Sequence, residues 1–501
     1  MRAMKRSLSQ PSALRQLLMV LAGAALLLVP GMLNQEPFLY RDTTTYFKGA
    51  ETGVVRLLGE SFALGRPAEV PDVPVDGNTG ASLTSVEDGV VIAGRSVYYG
   101  VLVYASLLLG SLFVLAALQA LIVSYVVHLT FGTLMPRAMN WFLPLMAVLA
   151  FATPLGYFTN LIMPDNLAPV AILIVAILFT RFAALGRLDR IGLLAILVLA
   201  LLAHSSHLLL VALMLGFGAV LAMWRRRRLA WRDPALLLVS GALLVGFAGE
   251  QAFNLAARQM LGSAPLRLPH LSAHLVEMGP GTAYLDEHCP EAGFAICADR
   301  AKFPIVWTDF LFNPDPDNGV FAVADAERKR VISEEQVGFA LAVLTDRPVE
   351  TTGGFALSFV EQLSRFGIDE FYYDDETMES FATRLPAPEY RLVAQSAAAG
   401  SGEADLWLTR IAYLAAIASV LLIVALLWRL RGLGQDSHER VTACWLILFG
   451  IVANAAVCGI IASPYDRFQA RVIGLLPLVT LMLAMTLREK VSAVRETSPV
   501  D

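Results

Sequence analysis

The sequence predicts an all-α polytopic membrane protein with about ten transmembrane helices. Of its 501 residues, 56% are hydrophobic and only 16% are charged, and the mean hydropathy is +0.61. A soluble protein of this length would carry charges at about a quarter of its positions. The deficit falls in long apolar runs, each close to the roughly 20 residues that a helix needs to cross a bilayer.

Seven of the predicted spans form an N-terminal membrane module, residues 1–254. Cytoplasmic loops of membrane proteins are rich in Lys and Arg, so the basic N-terminus is expected in the cytoplasm. The apolar run 191–223 has basic residues at both ends and must therefore cross the membrane an even number of times. It is predicted to form a hairpin of two spans that turns at 204–207. The other five spans are expected at about 17–33, 97–131, 141–157, 167–181 and 235–253.

Two hydrophilic regions are expected outside the cytoplasm. The first is the loop 34–97, and the second is the soluble region 255–404, which is long enough for a small domain. A C-terminal membrane module, 405–501, then contributes spans 8 to 10, so that both termini lie in the cytoplasm. These three spans are expected at about 406–427, at 441–462 and in the segment that ends at Arg488.

The four cysteines fall into two pairs with different contexts. Cys289 and Cys297 lie close together in the soluble region 255–404, and outside the cytoplasm they are expected to form a disulfide. Two free thiols are the alternative. Cys444 and Cys458 lie in an apolar span and are interpreted as packing residues.

The predicted topology brings polar side chains from distant parts of the chain to the outer face of the membrane. Ionisable residues at membrane depth are costly to bury and are often functional. Two of them, Arg467 and Arg471, are exceptions to the charge rule, because basic residues concentrate on the inner side. The whole group consists of Asp42, Tyr46, Asp165, His204, His207, Arg467 and Arg471.

These residue types suit the transfer of a sugar from a lipid phosphate. The carboxylate of Asp42 would deprotonate the acceptor hydroxyl as a general base. Arginines would bind the phosphate leaving group through bidentate hydrogen bonds and stabilise the charge that grows on it. The two histidines could position a hydroxyl, bind phosphate or ligate a metal ion.

Three short motifs in these loops resemble the GT-C superfamily of polyprenyl-phosphate-sugar-dependent glycosyltransferases. Asp42 and Tyr46 are similar to the D-x-x-x-Y pattern after the first span, and the run MPD that ends at Asp165 looks like a second acidic site. The run YDRF around Arg467 resembles the Arg-Tyr element near the C-terminal spans of many members. The chain also resembles a group of proteobacterial polytopic membrane proteins with the elements DT-x-x-Y, MPD and R-F/Y-Q-x-R.

The resemblance implies a GT-C-like bundle in a bacterial cytoplasmic (inner) membrane. It implies transfer of a sugar from a polyprenyl-phosphate donor to an envelope glycan or lipid, such as lipopolysaccharide, on the outer face. Asp42 and Asp165 would be the catalytic carboxylates, and Tyr46, the two histidines and the two arginines would bind substrate or phosphate. No cofactor is certain, and a divalent metal ion stays an open alternative. The chain departs from the family in placing its soluble region between spans 7 and 8 and in having Phe468 where many members have tyrosine.

Each site residue also has a purely structural interpretation. Asp42 and Asp165 could each cap the helix that follows. The His pair could be a polar turn or a hydrogen-bonded pair inside the bundle. The arginines could reach the lipid headgroups or pair with Asp466. The acidic cluster 369–376 is interpreted as a solvated surface, because it lacks the ligand spacing of a calcium loop.

Two other classes of function compete with sugar transfer. A flippase, a transporter or an assembly factor for envelope polysaccharide would be non-enzymatic and would need a polar path through the bundle. An acyl- or phosphotransferase acting on a lipid-linked substrate would depend on His204 or His207, while Asp42 could be dispensable. No nucleic-acid partner is indicated, because the Arg run 225–228 is explained as a topological anchor.

Overall fold

A computed structural model describes the protein. Helices are the regular elements of the part of the chain that it describes. The helices are joined by loops, and among the described residues β-pairing is limited to isolated bridges. The predicted all-α class is therefore confirmed for this part of the chain. The described residues are 13–65, 67, 92, 96–226, 232–368, 371–400, 403–431 and 435–497.

Several sequence predictions fall outside these residues. They concern the basic N-terminus up to residue 12, residues 66, 68–91 and 93–95 of the loop 34–97, Arg227 and Arg228 of the Arg run, and Asp369 and Glu370 of the acidic cluster.

The described residues of the N-terminal module form ten α-helices. A short 3-10 helix, Pro164–Asn166, leads directly into the seventh of them. The helices are α1 (Ala13–Asn34), α2 (Thr43–Leu58), α3 (Val97–Leu108), α4 (Phe113–Leu134), α5 (Phe142–Phe151), α6 (Leu155–Asn160), α7 (Leu167–Arg181), α8 (Arg187–Ala203), α9 (Ser205–Arg226) and α10 (Pro234–Leu261).

The region between α10 and the C-terminal module is a helical domain whose first part, up to Val343, has a core of its own. Phe310, Phe321 and Phe339 are buried in that core, whereas buried residues from Phe366 onward pack into the core of the membrane part. A disulfide joins Cys289 to Cys297, whose Cα atoms are 5.6 Å apart. The helices are α11 (His270–Met278), α12 (Pro280–His288), α13 (Trp307–Phe312), α14 (Ala326–Asp346), α15 (Pro348–Ser364), α16 (Asp375–Arg384) and α17 (Ala387–Ala394).

The C-terminal module consists of two long helices and a broken third one. The break falls at Gly474, where an added Cβ would lie 2.9 Å from Thr153 Oγ1, so glycine lets this position pack closely against the turn between α5 and α6. The helices are α18 (Glu403–Arg429), α19 (Gln435–Ile461), α20 (Asp466–Ile473) and α21 (Leu475–Thr497).

Eight helices in the described part of the chain are long and apolar enough to cross a membrane. The chain is therefore a multi-pass membrane protein, whereas the count of ten spans, the GT-C-like bundle and the orientation of the termini stay predictions. The eight candidates are Ala13–Asn34, Phe113–Leu134, Pro164–Ala184, Ser205–Trp224, Pro234–Met260, Trp407–Arg429, His438–Ile461 and Asp466–Ser492.

The two predicted spans without a full-length counterpart are spans 3 and 5. Span 3 is divided into α5 and α6, and the division falls at Pro154, which lacks a backbone donor to continue a helix. Span 5 corresponds to α8, which has 17 residues and ends where His204 takes an extended backbone conformation. The apolar run 97–131 is likewise split, because Gly110 adopts φ +83° between α3 and α4.

Helix α7 forms the centre of the membrane part. It is buried from Leu167 to Leu178, and helices α4, α8, α9 and α19 pack around it. The apolar side chains on all sides of α7 suit a helix enclosed by other helices rather than by lipid. The loop before it, which carries Asp165, is thereby held at the middle of the bundle's polar end.

The soluble domain is held on the membrane part through α15. Gln362 is fully buried and bonds the backbone of Tyr465 twice, with its Nε2 2.8 Å from the carbonyl and its Oε1 2.9 Å from the amide nitrogen. Gly367 N donates to Asp466 Oδ1 at 2.7 Å. Since α20 begins at Asp466, these bonds set the position of the helix that carries Arg467 and Arg471.

One acidic pair makes the junction between α1 and α17 sensitive to pH. Burial and the neighbouring Glu389 carboxyl raise the pKa of Glu36 from 4.5 to about 7. Burial also raises the pKa of Glu389, whose Oε2 is buried without a hydrogen-bond partner. Between pH 4.5 and 7 the folded state therefore binds more protons than the unfolded chain.

We expect thermal stability to fall as the pH rises from about 5 to 8, because the raised pKa of Glu36 favours folding only while the carboxyl is protonated. Glu36→Gln should flatten this slope and raise the melting temperature at pH 8. The measurement is the unfolding of purified protein in detergent across this pH range. Glu60→Gln, a change at an exposed residue, is the control; an equal slope in the wild type and Glu36→Gln would contradict the assignment.

Candidate active site

Arg471 is the centre of the polar cluster at one end of the bundle. It projects from α20 with 2% of its surface exposed. Its Nη1 lies 3.4 Å from Asp165 Oδ1, and its Nε and Nη2 lie 3.1 Å and 2.8 Å from Asn454 Oδ1. A buried guanidinium needs such partners, because an uncompensated charge in the interior is costly. The three side chains come from α19, α20 and the 3-10 helix before α7.

Two further side chains complete the contacts of Arg471. Its Nη2 lies 3.3 Å from Cys458 Sγ and 3.4 Å from Ser206 Oγ. Asn454 is itself held by α20, because its Nδ2 donates to Phe468 O at 2.6 Å. The arrangement fixes the guanidinium on several sides.

Asp165 lies behind Arg471, away from open space. It belongs to the 3-10 helix Pro164–Asn166 and is 2% exposed. The N-cap residue of α7 is Asn166, without a side-chain capping bond, so Asp165 does not have the capping role that its sequence context allowed. Its charge is within electrostatic reach of Arg467, Arg471 and His204. The carboxylate therefore serves mainly to balance and orient these groups.

The two histidines occupy different positions around the predicted turn. His204 Nδ1 is 2.8 Å from Ser206 Oγ, and this side chain faces the cavity described below. His207 is fully buried, and its Nδ1–H donates to the Ala200 carbonyl oxygen at 2.7 Å. The rings are neighbours, with centroids 5.3 Å apart. His204 can contact a ligand directly, whereas His207 supports the turn.

Arg467 lies one turn before Arg471 on α20. Its guanidinium stacks on the Tyr40 ring, with Cζ 3.9 Å from the ring centroid. This cation–π contact joins α20 to the loop between α1 and α2. Both arginines reach the same cavity.

Asp42 stands at the N-terminal end of α2. Its backbone is already helical, at φ −70° and ψ −22°, and its side chain makes no capping hydrogen bond. The carboxylate instead lines the cavity and interacts electrostatically with His204. Tyr46, one turn later, also lines the cavity and packs edge-on against Tyr99, with centroids 5.4 Å apart.

A single cavity of about 3070 Å³ joins these groups to two other surfaces. Small-molecule sites commonly have roughly 300–1,000 Å³, so this one suits a much larger ligand. Its polar end is lined by Asp42, Tyr46, His204, Arg467 and Arg471. From there it extends along α9 and α10 on one side and along the soluble domain on the other.

Two salt bridges close one wall of the cavity beside Asp42. The Arg41 guanidinium lies 2.8 Å from Glu376 Oε1 and 3.4 Å from Asp374 Oδ1, both at the start of α16. Tyr373 OH accepts from Leu39 N at 2.7 Å. These bonds fix the loop that carries Asp42 against the soluble domain.

Within the described part of the chain, a group of residues that could hold a metal ion lies on the soluble domain and not at the polar end of the cavity. Three ligand-type atoms, from Glu287, His288 and Asp346, come within 4.8 Å of one another on the soluble domain. Arg347 already pairs with Glu287 and with Asp346, so its guanidinium supplies positive charge there. The His204–His207 pair forms no such group with a third ligand among the described residues.

The structure brings together all seven predicted site residues, but it adds three that sequence reasoning missed. Asn454 and Ser206 bond Arg471, and Cys458 was interpreted as a packing residue, although its thiol contacts Arg471 and lines the cavity. The available signal was Asn454, a lone amide within an otherwise apolar span.

No protein-family model, no curated protein and no solved structure matches this chain. The geometry of the site therefore carries the functional argument by itself.

Removing the charge of Asp165 should destabilise the protein by about 3–5 kcal/mol, because Arg471 then stays buried without its counter-charge. We expect Asp165→Asn to lower the melting temperature of the purified protein. The double variant Asp165→Leu with Arg471→Met should recover most of the loss, since it removes both charges. A double variant as unstable as the single one would contradict a simple charge balance.

Proposed function

We propose that this chain is a membrane glycosyltransferase that transfers a sugar from a polyprenyl-phosphate donor to an acceptor at the outer face of the membrane. One observation carries the proposal: the same cavity has the buried Arg471 and the half-buried Arg467 at its polar end and an apolar wall on membrane-spanning helices. A ligand that fills both parts has an anionic head and a long apolar chain. A lipid phosphate has this chemistry.

The apolar wall suits a chain that enters from the bilayer. It consists of side chains from α9 and α10, among them Leu209, Ala212, Leu244 and Phe247. Leu244 is 70% exposed and Phe247 is 56% exposed, so the wall continues onto the lipid-facing surface. A prenyl chain can therefore lie against it without leaving an apolar environment.

The polar end suits the phosphate. Arg471 is held in place by Asp165 and Asn454, and Arg467 is held by Tyr40. A guanidinium that is fixed before the reaction stabilises developing charge without having to reorganise. Phosphate oxygens are also the acceptors that the arginine fork binds best.

Asp42 is the general base in this proposal. The acceptor hydroxyl gives its proton to the Asp42 carboxylate while its oxygen forms a bond to the anomeric carbon of the donor sugar. The bond from that carbon to the phosphate oxygen breaks, and the electron pair leaves with the phosphate. Arg467 and Arg471 hold the charge that results. Asp165 acts through Arg471 as a positioning residue.

The lipid-phosphate step can be tested without knowing the acceptor. Cys458 lines the cavity beside Arg471, and Cys444 is fully buried in α19. In a Cys444→Ser background, undecaprenyl phosphate should slow modification of Cys458 by methyl methanethiosulfonate. At about ten times its Kd the lipid should slow it about tenfold, because only unoccupied protein reacts. Arg471→Lys should remove most of this protection.

Two controls are needed. One tests whether protection depends on the phosphate or on the prenyl chain alone, and the other tests whether the effect of Arg471→Lys is specific to an arginine of the cavity. Undecaprenol lacks the phosphate and should protect poorly. Arg181→Lys changes an arginine that pairs with Glu439 at 2.7 Å, away from the cavity, and should keep full protection. If both lipids protect Cys458 equally, or if undecaprenyl phosphate protects Cys458 equally in the wild type and in Arg471→Lys, the arginines are excluded as phosphate ligands.

Asp42→Asn should reduce sugar transfer by about 10²- to 10⁴-fold, the usual contribution of a general base. Because the amide keeps the shape of the side chain, protection of Cys458 by undecaprenyl phosphate should persist. The measurement is the envelope glycan of a deletion strain complemented with each variant, analysed by mass spectrometry.

The matched control is Asp375→Asn, an exposed carboxylate on α16. It should restore the glycan to the wild-type pattern. If Asp42→Asn restores it equally well while His204→Ala does not, the chemistry depends on the histidine and the base assignment is wrong.

A further inference from the structure

The cavity extends well beyond the groups that the donor would occupy. Its outer part is lined by the far end of α10 and by the soluble domain between Ala264 and Val337, and we call this surface the outer wall. Neither the phosphate end nor the apolar wall uses it. The outer wall is therefore available to a second ligand that reaches the same polar end.

The charges of the outer wall nearly balance. Four carboxylates and three guanidinium groups line it, and Arg267 Nη2 pairs with Glu250 Oε1 at 2.8 Å. A surface of one sign would suit a polyanion or a polycation, and mixed signs suit neither. The charged residues are Glu250, Asp309, Asp315, Glu334, Arg258, Arg267 and Arg330.

Amide and aromatic side chains fill the positions between these charges. Asn254 and Gln336 offer both donors and acceptors. Phe312 is 36% exposed and lines the cavity there. The C–H face of a sugar ring packs against aromatic rings, and the polar groups form hydrogen bonds with its hydroxyls as donors and acceptors. This combination matches a polyhydroxylated chain better than a lipid tail.

Trp307 gives the outer wall a buried donor with no partner. It lines the cavity with 7% of its surface exposed, and its indole Nε1 makes no hydrogen bond. Its ring is stacked on His270, with centroids 5.3 Å apart and planes at 19°. A buried donor left without a partner is costly, and a ligand hydroxyl that reaches the indole nitrogen would supply the missing hydrogen bond.

The backbone of the outer wall is fixed before any ligand arrives. Ser333 Oγ accepts from Arg267 N at 3.0 Å and donates to Arg267 O at 2.6 Å. Asp315 Oδ1 accepts from Asp317 N at 3.0 Å, which closes the loop that presents Asn313. Preformed walls lower the entropic cost of ordering a site on binding.

We infer that the outer wall binds the acceptor and that the acceptor is an oligosaccharide chain rather than a lipid or a protein. This inference rests on the proposed function, because it identifies the hydroxyl that Asp42 would deprotonate. The sugar chain lies along Trp307 and the amide side chains, with its end directed toward the polar end of the cavity.

The experiment uses the full-length protein in detergent and oligosaccharides released from the host envelope by mild acid. Native mass spectrometry measures their binding to wild type, Trp307→Phe and Gln336→Ala. We expect each variant to bind about three- to tenfold more weakly, the usual effect of one lost hydrogen bond. Trp445→Phe changes a tryptophan that is 47% exposed on α19 and should bind like wild type.

The same samples separate failure of this inference from failure of the proposed function. Each variant should keep the protection of Cys458 by undecaprenyl phosphate, which also shows that it is folded. If the lipid phosphate protects but no released oligosaccharide binds, or if tryptic envelope peptides bind instead, the inference is overturned and the donor assignment stands. If oligosaccharides bind but the lipid phosphate never protects, the proposed function is overturned.

Discussion

The buried ion pair between Asp165 and Arg471 is the constraint on which the polar end of this protein depends. Two charges with almost no exposed surface are costly unless each is matched and hydrogen-bonded. Asn454, Ser206 and Cys458 supply the remaining contacts of the guanidinium, and they belong to helices that are far apart in the chain. One pair therefore fixes the relative positions of α7, α9, α19 and α20.

The soluble domain also holds the start of the last membrane segment, which consists of α20 up to Ile473 and α21 from Leu475. The turn before α20 is then fixed from outside by Gln362, which bonds the Tyr465 backbone in both directions. The soluble domain thus contributes to the geometry of the arginines as well as to the cavity wall.

The sequence was sufficient for the helical class, for most apolar spans and for the set of polar residues that meet at one end. Apolar length and basic flanks carry that information, because they reflect the cost of placing charge in a bilayer. They carry no information on lateral position, so they placed Asp42 and Asp165 on one face without showing that Asp42 lines the cavity and Asp165 does not. The contact of Cys458 with Arg471 was missed for the same reason. The breaks at Gly110 and Pro154 depend on local backbone geometry that hydropathy averages out.

Access to the cavity is what separates the two carboxylates. Asp165 is 2% exposed and faces a guanidinium, so a proton that moved onto it would leave Arg471 without its counter-charge. Asp42 lines the cavity, makes no capping bond to its own helix and lies next to Arg41, which is held by α16. A carboxylate that must accept a proton from a large ligand needs both exposure to that ligand and a fixed backbone. Asp42 meets these two requirements, and Asp165 meets only the second.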